Sequence, residues 1–466
     1  MSSWPRYPTV YEINTWVWLS ELSKKAGKPV DLGSVPAAEW DAVAALGVDA
    51  AWLMGVCERS PAGIAIANQN TSLLDDFRRA LPDFRPEDNV GSPYCVRGYE
   101  VDEHHGGPEG LSQARKELAK RGLRLILDFV PNHVAPDHPW VSEHPEHFIR
   151  GTADDAANNT ASYINLNGTV FACGKDPFFP AWPDVLQLNA FQPGLRQTVT
   201  ATLSRIANQC DSVRCDMAML LMNSVFERTW GSRAGAKPAA EYWVDVISAI
   251  KKEHPDFLFI AEAYWGLEWE LQQQGFDFCY DKRLYDRLEH ENAESVRLHL
   301  CADLAYQNKL LRFIENHDEP RAASAFTPAK ERAVAVTTST LPGARLFHEG
   351  QFEGSKVRLP VFLGRRPEEP VDNELRDFYT KLLLAINSPV FREGDWNLCE
   401  CAGWPDNRNY ENVVAWIWNK DGDRYLIVVN LSDGLYVDLQ PWGYHFLRVC
   451  GLDAKAQGYQ EPKQKH

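Results

Sequence analysis

Eight short apolar runs constrain what this chain can fold into. They lie at residues 10–14, 48–54, 123–128, 211–216, 257–262, 276–280, 310–315 and 344–348. Amphipathic stretches of helical length alternate with them, at 37–46, 110–121, 195–209 and 239–253 among others. A strand reaches a parallel neighbour only through a crossover, so this alternation predicts a parallel sheet covered on both faces. Eight strands favour a closed (β/α)8 TIM barrel over an open doubly wound sheet.

Two segments break the rhythm. Residues 134–190 carry Pro, Asn, Gly and aromatics without a helical period, which predicts a small excursion after the third strand. From about residue 391 the pattern turns to strands, at 413–418, 424–430, 435–439 and 445–449, with turn residues such as Asp421 and Gly422 between them. The expected division is a catalytic barrel over 1–133 and 191–390, an inserted domain over 134–190, and a C-terminal antiparallel, sandwich-like β domain over 391–466.

A formal net charge of -16 argues against nucleic acid and against an anionic membrane surface, both of which reward basic patches. No apolar run approaches the roughly 18 residues that span a bilayer. The first residues lack a basic segment followed by an apolar one, and the ten cysteines are scattered without metal spacing. Together these predict a cytoplasmic protein with reduced thiols. The 16 Trp and 16 Tyr lean toward carbohydrate, whose C–H faces stack on rings, although most such rings serve as core.

The chemistry sits at strand ends. Arg214 and Asp216 are two positions apart on one strand, so both face the same way, into a barrel. An arginine beside an aspartate favours its ionised form, suited to attack on an anomeric carbon. Glu262 follows apolar residues at the end of the next run, a setting that holds a proton for donation to a leaving oxygen. Asp318, within Asn316-His317-Asp318-Glu319-Pro320, adds a third carboxylate. His133 and His317 can donate hydrogen bonds to hydroxyls. Singly, each signal has a plain structural reading: an ion pair for Arg214 and Asp216, an exposed strand end for Glu262, a helix cap for Asn316-His317-Asp318. Their joint order at the ends of strands three, four, five and seven points to glycosidic bond cleavage by paired carboxyl groups.

These strings resemble the alpha-amylase family, glycoside hydrolase family 13, from Val10 to about Val449. Residues 128–133 resemble its first conserved segment, residues 213–216 its second and residues 313–318 its fourth. Residues 40–53 and 342–351 are similar to its early and late barrel strands. The resemblance implies Asp216 as nucleophile, Glu262 as acid/base and Asp318 as transition-state stabiliser. It implies Tyr94, Asp128, His133, Arg214 and His317 as substrate-binding residues, Tyr94 lying in a segment whose tyrosine stacks beneath the sugar. The departures concern substrate and metal. Met219 and Leu220 stand where alpha-amylases carry Lys and His after the nucleophile, and only Trp182-Pro183-Asp184 and Leu188-Asn189 loosely match the family's Leu-Pro-Asp-Leu-Asn. Asn132 matches a side-chain calcium ligand of the family, but so few acidic ligands argue against calcium, and no cofactor is expected.

The resulting expectation is a retaining alpha-glycosidase acting on alpha-glucan oligosaccharides or small alpha-glucosides. A transglycosylase or phosphorylase using the same site, sucrose phosphorylase-like or trehalose-forming, is the alternative. A non-catalytic carbohydrate-binding relative is the rival from another class. Residues 217 and 219–222, all Met or Leu, are expected either to border the leaving-group side or to pack behind the strand.

Overall fold

The structure is a computed structural model that describes residues 4–403, 408–433 and 443–449. Eight parallel strands close into a barrel. In chain order they are β1 (Thr9–Asn14), β2 (Ala50–Met54), β3 (Arg124–Phe129), β4 (Ser212–Cys215), β5 (Leu258–Ala261), β6 (Phe278–Tyr280), β7 (Leu310–Arg312) and β8 (Ala344–His348). All eight expected runs are present, and those over 211–216, 257–262 and 310–315 end early at the carboxyl side, where the chain leaves the ladder to present the side chains of the site. Closure comes from β1 pairing with both β2 and β8. Every residue of β2, β3 and β8 is buried, as a sheet covered by helices on its outer face requires.

The helices carry the local signals that end strands and start turns. Pro193–Ala207 begins with proline at its first turn and is capped by Gln192, whose side chain accepts from the Gly194 N–H. Tyr242–Glu253 buries Tyr242, Trp243, Val246, Ile247 and Ile250, a stripe at helical spacing that packs on the barrel.

The register of β4 against β5 sets the level of the site. Cys215 is paired with Ala261 and Arg214 with Ile260. Asp216 and Glu262 each follow by one residue, so the two acids leave adjacent strands at the same height. On the other side, Arg214 is paired with Asp128 of β3.

The excursion is built of strands. His133–Val134, Trp182–Gln187, Thr169–Gly174 and Tyr163–Leu166 form a four-stranded antiparallel sheet in that order. Its hairpin turns at Asn167 and Gly168, both at positive φ. Near the C-terminus, Asp395–Leu398, Val413–Lys420, Asp423–Asn430 and Tyr444–Val449 form a second antiparallel sheet. Its expected tight turn lies at Asp421 (φ 49°) and Gly422 (φ 92°). This sheet is tied to the barrel by the indoles of Trp416 and Trp418, which both donate to the Thr340 carbonyl. The strand expected at 435–439 lies outside the described residues. Among the described residues, no helix is long and apolar enough to cross a membrane.

Candidate active site

Arg214 is the hub. Its side chain is 1% exposed and stands on β4 among the rings of Trp52, Tyr94 and Tyr280. Its Nη1 donates to Asp216 Oδ1 at 2.7 Å, and its Nη2 lies 2.8 Å from Glu262 Oε2. Asp128 Oδ1 is 3.7 Å from Nη1. One guanidinium thus faces three buried carboxylates, which holds it protonated well above the usual arginine range despite burial.

Asp216 is fixed through its backbone, whose N–H donates to Phe129 O at 2.9 Å. Burial raises its carboxyl above the ordinary aspartate range, against the pull of Arg214 and with a further push from Asp318 and Asp128. The expected dominance of the arginine is therefore offset by loss of water. Glu262 Oε2 accepts from the Met217 N–H at 2.6 Å, and Oε1 accepts from the Tyr264 hydroxyl at 2.8 Å. Burial pushes this carboxyl up to about 7, with Arg214 opposing and the charges of Asp216 and Asp318 assisting. The Met217 contact needs an unusual backbone. Its φ of 45° lies in the left-handed region, which costs a non-glycine residue energy and persists where surroundings enforce it.

Asp318 is the exposed member, its side chain 44% accessible. Asn316 Oδ1 accepts from the N–H groups of Asp318 and Glu319, both at 2.9 Å, so the asparagine of the motif shapes the turn that presents Asp318. Loss of water raises the Asp318 carboxyl, but His317, Arg214 and Arg358 outweigh that and bring it down to about 2. His317 lies between Asp318, 3.0 Å from its Nε2, and Glu12 of β1 at its Nδ1. Burial lowers the His317 imidazole, and the two carboxylates reverse this and lift it well above the usual histidine range. The Tyr94 hydroxyl is 2.8 Å from the same Nε2.

Asp128 is held by the Gly55 N–H at 2.8 Å and the Trp52 indole at 3.3 Å, while burial raises its carboxyl. His133 packs on Trp182, with ring centres 5.3 Å apart, and burial lowers it to about 4. Its Nδ1 lies 3.2 Å from Asn132 Nδ2, an amide donor, so the neutral ring carries its proton on Nε2.

A cavity of about 340 Å³ opens over these groups, lined by Tyr94, His133, Asp216, Glu262, Asp318 and Tyr264 among others. That is the size of small ligand sites. Asp128, Arg214 and His317 stand behind this wall. Sequence reasoning missed Glu12, Tyr264 and the Met217 N–H. Glu12 was visible as a charge inside an apolar strand, and Tyr264 as a polar residue two positions beyond Glu262. Of the Met and Leu residues after Asp216, only Met217 lines the cavity. Met219, Leu220, Leu221 and Met222 are 0–4% exposed and pack in the core.

The residues around Asn132 do not fit calcium. Asn132 O, Asn132 Oδ1 and Leu188 O converge on Gln187 Nε2 at 3.0, 2.9 and 2.9 Å. An amide nitrogen thus occupies the point that a cation would share with these oxygens, and it brings no carboxylate. After treatment with a chelator, added calcium is expected to leave the melting temperature unchanged. Gln187→Leu, which leaves Asn132 Oδ1 and Leu188 O without this donor while Asn132 O keeps the Leu188 N–H, is expected to cost about 2 kcal/mol in denaturant unfolding. Calcium-dependent stabilisation of the parent protein would contradict this reading.

The profile described as "Alpha amylase, catalytic domain" matches residues 39–415. The chain belongs to the alpha-amylase family. Among curated relatives of this alpha-amylase family member, Alpha-amylase 3 of Dictyoglomus thermophilum is 21% identical over 309 residues, covering 61% of this chain and 58% of that protein. An alpha-1,4-glucan:maltose-1-phosphate maltosyltransferase of Bifidobacterium longum is 29% identical over 206 residues, 41% of this chain and 23% of the relative. The chain thus spans less than two thirds of the length of these relatives. Among solved structures, the cyclic alpha-maltosyl-(1→6)-maltose hydrolase of Arthrobacter globiformis superposes with a TM-score of 0.66 at 17% identity, covering 96% of this chain and 99% of that one.

Proposed function

We propose that the protein is a retaining alpha-glycosidase acting on short alpha-glucosidic substrates through a covalent glycosyl-enzyme. The observation that carries this reading is the placement of Asp216 and Glu262 one residue past register partners, on the two arms of one guanidinium. Such a span suits the roughly 5–5.5 Å carboxyl separation used for retention. Glu262, raised to about 7, donates its proton to the glycosidic oxygen while Asp216 attacks the anomeric carbon. Asp318 grips the ring hydroxyls beside the charged His317 and favours the distorted sugar. Glu262, now ionised, then takes a proton from the incoming water, and the sugar leaves with its original configuration. Proton NMR of the first-formed anomer from an aryl alpha-glucoside or maltotriose is expected to show the alpha product. Release of the beta anomer would exclude the mechanism.

A second outcome at the same site rests on the neighbouring cavity. Met217 and Tyr264 also line a space of about 690 Å³ that contains Trp265, Phe179, Lys282, Arg283 and Arg287. The same wall carries Asp176, Glu268, Asp286, Glu291 and Glu319, so its rings and mixed charges suit a neutral sugar acceptor better than phosphate, and several relatives are maltosyltransferases. Product analysis by mass spectrometry with and without phosphate separates transfer from hydrolysis. The thioether of Met217 cannot hydrogen-bond several hydroxyls of a departing sugar chain. Soluble starch is therefore expected to give a lower kcat/KM than maltotriose, and a clear preference for starch would overturn this.

A further inference from the structure

Away from the active-site cavity, the turn after the barrel's third strand brings together His144, Glu146 and His147. One ligand atom from each lies within 4.8 Å of the others. His144 Nδ1 is 3.2 Å from Glu146 Oε1, and His147 Nδ1 is 4.0 Å from the same oxygen. The two imidazoles stack with ring centres 4.8 Å apart and planes 16° from parallel.

His147 decides the matter. It is 3% exposed, and its Nδ1 is a buried polar atom without a hydrogen-bond partner. Its other nitrogen, Nε2, is 3.2 Å from Thr198 Oγ1 on the helix Pro193–Ala207. The Thr198 hydroxyl donates its own hydrogen to Gly194 O at 3.1 Å, so its oxygen accepts from His147. The proton of the neutral ring is therefore on Nε2, and Nδ1 points a bare lone pair toward a carboxylate oxygen. Two acceptors facing each other across a gap, one of them buried, repel unless a second proton or a metal cation lies between them. A hydroxyl that holds the far nitrogen of a histidine is also how metal-ligating imidazoles are oriented.

We propose that His144, Glu146 and His147 bind a divalent transition-metal ion such as zinc. Two imidazole nitrogens and one carboxylate oxygen suit zinc better than calcium or magnesium, which prefer all-oxygen shells. Water completes the fourth position, because the His144 and Glu146 side chains are 45% and 52% exposed. The ion clamps the turn onto the helix that carries Thr198 and leads into β4. Its role is structural, since none of the three ligands lines the catalytic cavity.

The test uses the full-length protein, stripped with a chelator and titrated with zinc alone. Calorimetry is expected to show one tight equivalent, and the melting temperature to rise with zinc. Cobalt(II) is expected to give the visible absorption of a four-coordinate site. His144→Ala and Glu146→Gln alter exposed side chains and leave the fold intact, and each is expected to weaken zinc binding about tenfold or more. Thr198→Val, which frees the outer nitrogen of His147, is expected to weaken it roughly tenfold. A melting temperature that ignores zinc would overturn the proposal. So would His144→Ala and Glu146→Gln variants that bind zinc as tightly as the parent protein.

Discussion

Asp216→Asn is expected to lower turnover by several orders of magnitude while the protein keeps its melting temperature within a few degrees. The amide is the same size and can still meet Arg214, but it cannot form the glycosyl ester. The parent carboxyl sits 2.7 Å from Arg214 Nη1 at the floor of the cavity, and its backbone N–H is anchored on Phe129 O. The backbone anchor is independent of charge, the amide oxygen can still accept from Nη1, and Glu262 and Asp128 keep the guanidinium paired when the Asp216 charge is lost. Loss of a nucleophile removes an interaction that exists only along the reaction path, so kcat and kcat/KM should fall together. A tenfold rate change corresponds to about 1.4 kcal/mol, and this loss should exceed that several times over. A variant retaining more than about a tenth of the parent rate would place the nucleophile elsewhere.

The sequence shows the barrel clearly because a parallel strand covered on both faces must be apolar throughout. Runs such as residues 50–54 and 124–129 therefore stand out against amphipathic helices. The site is legible for the same reason: Asp128, Arg214 and Glu262 are charges inside or at the end of such runs, and a buried charge needs partners. What the sequence hides is contact across the barrel. Glu12 and His317 are 305 positions apart, and nothing local shows that β1 supplies the carboxylate that keeps His317 charged. Backbone conformation is also hidden. Met217 reads as an apolar residue, yet its left-handed φ is what turns its N–H onto Glu262. The excursion shows no period in the sequence because its strands are short and mix aromatic with polar residues. Pairing between residues far apart, such as His133 with Gln187, supplies the regularity that periodicity lacks.

Glu262→Gln is the companion experiment, and its effect should depend on the leaving group. An alkoxide leaves poorly without a proton, so hydrolysis of maltotriose is expected to drop by about 10²–10⁴-fold. A nitrophenolate leaves without help, so formation of the glycosyl-enzyme from a nitrophenyl glucoside should be far less affected. The pH profile gives an independent reading. Burial raises the Glu262 carboxyl from its ordinary value to about 7, with Arg214 opposing. As the acid, Glu262 acts in its protonated form, so kcat/KM of the parent on maltotriose is expected to fall as pH rises through about 7. In the glutamine variant that limb should vanish, because nothing at this position titrates. Tyr264→Phe removes the hydroxyl that donates to Glu262 Oε1 at 2.8 Å and stabilises its ionised form. The limb should then move to higher pH, by up to about one unit. An unchanged basic limb in Glu262→Gln, or equal losses on the activated and unactivated substrates, would assign the proton donor to another residue.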